Sequence, residues 1–106
     1  MAHDYFIVSS DSSNVVRDRI SLPLGLVSER HPKMISKVSY GDVDYYGTFT
    51  RGEILAFAKD YAESMGDLME KYPEYASRYN KPLAYVQGSP NDEFIVSAIY
   101  WSSDEY

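Results

Sequence analysis

Over residues 51–72 the apolar positions recur at helical intervals. Ile54, Leu55, Ala58, Tyr61, Ala62, Met65, Leu68, Met69 and Tyr72 follow the i, i+3, i+4 pattern of one helix face. At the helical angle per residue they fall within an arc of roughly 140°. The start is marked as well. Thr50 with Glu53 three residues on forms a capping box, and Phe49 before the cap with Ile54 after it fits a hydrophobic staple. Pro73 cannot donate to a carbonyl one turn back, which predicts a stop or kink at Tyr72. "PEYASRYN" (73–80) reads as a short second helix with Pro at its first position, ending at Asn80-Lys81-Pro82.

Elsewhere the period is two. "DYFIVSS" (4–10) is aromatic and β-branched and predicts a strand. "MISKVSYG" (34–41) and "DVDYYGTF" (42–49) alternate and predict a hairpin turning at Gly41-Asp42. "LAYVQG" (83–88) and "EFIVSAIYW" (93–101) predict a second hairpin about the turn "SPND". Both faces of 93–101 are largely apolar, as in a central strand covered on both sides. "DYFIVSS" and "DEFIVSA" share D-x-F-I-V-S, which fits two interior strands lying side by side. "NVVRDRI" (14–20) fits either a short helix or an extended piece, and "SLPLGLVSERHPK" (21–33), broken by Pro23, Gly25 and Pro32, predicts a loop.

The expected architecture is α+β. About five largely antiparallel strands carry one long amphipathic helix (about 51–72) and a short following helix on one face. The 106 residues match one domain, 1–106, with one modest core.

Composition narrows the function classes. No apolar run approaches the ~20 residues of a membrane span, and the first residues lack the basic flank and long apolar run of a signal peptide. There is no cysteine, hence no disulfide framework and no thiolate chemistry. A cytoplasmic protein with no membrane partner is expected. The net charge is -6, and it is uneven. Residues 1–41 hold five Lys or Arg against four Asp or Glu, and residues 42–106 five against twelve. A polyanion needs a basic patch, so direct nucleic-acid binding is not expected.

Catalytic constellations are sparse. The two histidines, His3 and His31, adjoin no nucleophile motif. "DVD" (42–44) and "NDE" (91–93) read as turn chemistry rather than cation loops. No phosphate loop or dinucleotide fingerprint is present. The expectation is a non-enzyme, without metal or cofactor.

What remains is the polar side of the long helix. Glu53, Asp60, Glu63, Asp67 and Glu70 fall within about 100° of arc, nearly opposite the apolar stripe. With the stripe in the core, the carboxylates point outward. Lys59 (to Glu63) and Lys71 (to Asp67) are spaced to blunt them. Glu74, Tyr72, Tyr75, Arg78 and Tyr79 follow directly, and the chain holds 11 tyrosines in all. Tyrosine and arginine beside a charged rim are the composition of interface anchors.

These residues are therefore the candidate partner-binding set: Asp60, Glu63, Asp67, Glu70, Tyr72, Glu74, Tyr75, Arg78 and Tyr79. The expected partner is a basic protein, such as a nuclease or other nucleic-acid-binding protein, engaged by a nucleic-acid mimic. By composition, phage anti-defence proteins (anti-CRISPR proteins among them) and immunity proteins offer the nearest analogy. The competing reading of the face is a solvated surface kept acidic for solubility. Residues 17–37 carry the opposite sign, so a homodimer through opposite patches is a further expectation. The alternative class is a small-molecule-binding or enzymatic domain, with its pocket between the sheet and loop 21–33.

Overall fold

A computed structural model describes residues 2–12, 15–23, 25–28, 30–39 and 42–101, with backbone alone at 2–3, 15–16, 37–39, 42–44 and 99–101. The chain runs β1 (Ala2–Ser9), α1 (Val15–Asp18), β2 (Ile20–Ser21), β3 (Ile35–Ser39), β4 (Asp42–Thr50), α2 (Arg51–Lys71), α3 (Pro73–Gly88) and β5 (Glu93–Trp101). The strands form one five-stranded sheet in the order β2-β1-β5-β4-β3, antiparallel at each pairing. This is the expected α+β architecture. The two segments that share D-x-F-I-V-S are indeed neighbours: β1 lies along β5 from Ala2↔Trp101 to Ser9↔Phe94. The hairpin of β3 and β4 forms too. Its expected turn at Gly41-Asp42 falls partly outside the described residues.

Register sorts the side chains. Tyr5, Ile7 and Ser9 lie across from Ala98, Val96 and Phe94, which lie across from Tyr45, Gly47 and Phe49. These rows face the helices. Ile7, Phe94, Val96 and Ala98 have no exposed surface, and Ile54 of α2 and Val86 of α3 join them in the core. Each such fully buried aliphatic or aromatic side chain contributes about 1.5–3 kcal/mol. Gly47 is required by close approach, because a Cβ there would stand 2.6 Å from the Lys33 carbonyl oxygen.

Two expectations are corrected. The segment 83–88 is helix, not strand, so α3 runs unbroken from Pro73 to Gly88 and no hairpin of 83–101 forms. "LAYVQG" is too short for its period to separate helix from strand. Its neighbours decide: Tyr79, Pro82, Leu83 and Val86 make a continuous helical stripe, with Pro82 and Val86 buried. An interior Pro costs about 3 kcal/mol, which the burial of this stripe offsets. Secondly, β5 is central but covered on one side; its Ile95 and Ser97, on the far face, are only half-buried. Loop 21–33 stands as expected apart from Ser21, which ends β2: its other described residues form no helix or strand. Leu22, Leu26 and Val27 are buried in the core, with Gly25 turning between them at φ 88°.

α2 and α3 form an antiparallel hairpin between adjacent strands β4 and β5. Arg51 locks its open end, donating from Nη2 to the Ser89 and Asn91 carbonyls and pairing with Asp92 at 3.1 Å. Among the described residues no helix is long and apolar enough to cross a membrane.

Candidate partner-binding face

The first turn of α2 is fixed by the expected capping box. Thr50 Oγ1 accepts from the Glu53 N–H, and Glu53 Oε1 accepts from the Thr50 N–H at 3.0 Å. Lys33 Nζ donates to the same Glu53 oxygen at 2.7 Å. The Lys33 hydrogen bond first, and the Thr50 N–H second, hold the Glu53 carboxyl below its ordinary pKa. Glu53 is thus committed to its own cap and leaves the acidic face. Beside it, His31 packs edge-on against Phe49 and Phe57 with ring centroids 5.2 and 5.4 Å away, and its Nδ1 accepts from the Lys33 N–H. That is a packing role.

Beyond the cap, Asp60, Glu63, Asp67 and Glu70 are all exposed on the outward side of α2. They span eleven residues, about 15 Å of helix, or about one negative charge per 5 Å. A nucleic-acid strand carries one per ~3.4 Å. The cations expected to blunt the face do not close on it. Among the described residues ion pairs join Lys33 to Glu53 and Arg51 to Asp92, and none reaches these four carboxylates or Glu74. Lys71 instead lies over the Tyr72 ring at 5.6 Å.

The hairpin tip differs from expectation. Leu68, Tyr72 and Tyr75 are 39, 39 and 37 % exposed, although the first two belong to the apolar stripe. None of residues 65–76 is part of the core or packed against it. At the closed end each helix has only the other to pack on. Tyr72 and Tyr75 meet edge to face with centroids 5.7 Å apart, and the Tyr72 N–H donates to the Leu68 carbonyl. Leu68 thus lies on the apolar stripe but outside the core. Its position one turn before Pro73 was the available signal that the packing runs out there.

The tyrosines and Arg78 of α3 do not share one surface. Tyr79 is half-buried inside the hairpin, stacked on Tyr61 at 5.9 Å and donating to the Ala58 carbonyl at 3.1 Å. Burial pushes the Tyr61 phenol above its ordinary pKa, with Tyr75 adding to the rise and Arg78 opposing it. Arg78 turns toward the sheet edge. With Asp4, Tyr5, Phe6, Ser21, Leu22 and Pro23 it lines a cavity of about 340 Å³. The structure therefore gathers Asp60, Glu63, Asp67, Glu70, Tyr72, Glu74 and Tyr75 on the outer side and tip of the hairpin, and separates Arg78 and Tyr79 from them.

Among the described residues no group of three or more His, Asp or Glu is placed to hold a metal ion. Asn91 and Asp92 do turn chemistry: Asn91 Oδ1 accepts from the Glu93 N–H, and Asp92 pairs with Arg51. No family model, curated protein or solved structure matches this chain.

Proposed function

We propose that this is a small, non-catalytic cytoplasmic binding protein, an inhibitor of anti-defence or immunity type. It blocks a basic, nucleic-acid-handling partner protein through the outer side and tip of the α2–α3 hairpin. One observation carries the reading: four carboxylates stand exposed in line on α2 with no cation within ion-pairing distance among the described residues, and they lead to the exposed Leu68, Tyr72 and Tyr75. An unneutralised acidic line raises the association rate with a basic surface, and aromatic side chains at its end supply area that slows release. The test is capture of a partner from host lysate by the wild-type protein at low and high salt. Asp60, Glu63, Asp67 and Glu70 changed together to Lys should fold normally and lose the low-salt partner. A folded variant that captures it equally well ends this reading.

A second reading is supported by the cavity beneath Arg78, which lies between β1 and the start of loop 21–33. At about 340 Å³ it falls in the size range of small-ligand sites. Its lining includes the buried Tyr5, Leu22 and Pro23, with the Arg78 guanidinium available to a carboxylate or phosphate group and the Asp4 carboxylate favouring a ligand that also carries a donor or positive charge. A ligand that binds only the folded state raises its melting temperature. A panel of small carboxylates and phosphates should then stabilise the wild type and not Arg78→Ala; a flat response across the panel removes the reading.

A further inference from the structure

The α2–α3 hairpin keeps a groove open between its two helices. Leu55, Ala62 and Met69 stand seven residues apart on α2, and Ala76 and Leu83 stand seven apart on α3. At that spacing side chains return to nearly the same side of a helix. All five are half-buried, so neither line is fully covered. Leu55, Ala58 and Ala62 meet Tyr79 and Leu83 around an open depression of about 460 Å³. Met69 and Ala76 share a second, of about 660 Å³, nearer the tip. From Leu55 to Met69 is about 21 Å of helix. Ala58 and Ala62 present only methyl groups, so another backbone can come close. Two heptad-spaced lines suit a third helix, packed about 8–10 Å from each axis. A strand laid there would find no edge to satisfy its peptide groups, whereas a helix bonds its own.

Charge selects the occupant. Glu63 is part of the groove wall on α2, and Glu70 stands seven residues on. Asp60 and Asp67 repeat at the same interval behind them. No ion pair among the described residues reaches any of the four. The wall on α3 carries Asn80 and Gln87, seven apart and uncharged. Lys59 and Lys81 each line one depression, so a helix cationic all round meets repulsion there. The two walls therefore ask for different flanks. We infer, on the strength of the partner-binding reading above, that the partner's binding element is an amphipathic α-helix lying along the α2–α3 groove. Its apolar side chains recur at heptad spacing and point inward. Its Lys and Arg residues gather on the flank beside α2, and the flank beside α3 is uncharged. This is recognition of a helix in a groove, with the carboxylate line fixing which way round the helix lies.

The probe is a synthetic peptide of about 18 residues, with leucine at heptad spacing, lysine along one flank and glutamine elsewhere. Anisotropy of the labelled peptide reads its affinity, and amide chemical shifts of the protein read where it lies. The wild type should bind it about tenfold more tightly than a scrambled peptide of the same composition, or one with Glu for each Lys. Salt should weaken the binding without abolishing it. The largest shifts should centre on Ala62 and Leu83, a readout that needs no variant. Ala62→Arg should weaken binding by about tenfold while keeping the wild-type circular dichroism and melting temperature. Asp60, Glu63, Asp67 and Glu70 changed together to Lys should reverse the preference, toward the Glu peptide. The inference is overturned by absence of binding, by equal binding of the scrambled peptide, by shifts centred off the groove, or by an unreversed preference. Lysate capture separates it from the reading beneath it. A partner lost by the four-fold Lys variant but kept by Ala62→Arg removes the groove and leaves that reading standing. A partner kept by the four-fold variant removes the reading itself.

Discussion

The two halves of α2 carry the same apolar stripe and end in opposite situations. In the first half Ile54 and Ala58 are 2 and 3 % exposed, and Leu55, Phe57 and Tyr61 pack against the core. In the second half Met65 and Met69 are half-buried and Leu68 and Tyr72 are open. A 3.6-residue period says which side of a helix is apolar. It does not say how far along the helix a sheet lies beneath that side. The first half is held by a cap, an ion pair and the aromatic trio of His31, Phe49 and Phe57. The second half has only α3 for company, and that freedom leaves its tip and its acidic flank available to another molecule.

The contrast has measurable consequences. Ile54→Ala opens a cavity in the core and should lower unfolding stability by about 2–4 kcal/mol in a urea titration. A loss below ~1 kcal/mol would mean the first half is not anchored as described. Thr50→Ala removes the capping-box acceptor at the anchored end and should cost about 1 kcal/mol by the same titration. Tyr79→Phe deletes the hydrogen bond to the Ala58 carbonyl that joins the hairpin to its anchored half, for a loss of about 0.5–1.5 kcal/mol. Leu68→Ala and Tyr72→Ala, at the free end, should each change stability by less than about 0.5 kcal/mol. If either matches Ile54→Ala, the two halves are equivalent and the tip is not free.

Acid sharpens the same contrast. Glu53 is held below its ordinary value of 4.5, so its contribution to stability is complete above that value. It is lost as the pH falls from there through the lowered folded-state value. Glu53→Gln should therefore flatten the acid limb of the stability–pH curve. Equal curves for Glu53→Gln and wild type would show that the Lys33 bridge does not form in solution.

The α+β class, the α2 start at Arg51 and the pairing of β1 with β5 were legible because each rests on local chemistry or on a repeated pattern. The outward direction of Asp60, Glu63, Asp67 and Glu70 was legible too, as the geometric complement of the stripe. Adjacent residues in α3 were not separable. Arg78 and Tyr79 are one residue, about 100°, apart, and only packing shows that one reaches the sheet edge while the other enters the hairpin. Leu22, Leu26 and Val27 sat among Pro and Gly with no period to read, so their place in the core was invisible. The fate of 83–88 was hidden for a related reason: four apolar residues in six fit either period, and the choice fell to Tyr79 and Pro82 upstream.

By itself the sequence determined where elements begin, which side of each is apolar and where the negative charge lies, because caps, periods and charges act over a few residues. Which apolar positions are covered was decided only by the tertiary structure. Burial depends on what other elements arrive overhead: the helices reach one face of the sheet, and the sheet core reaches only the first half of α2.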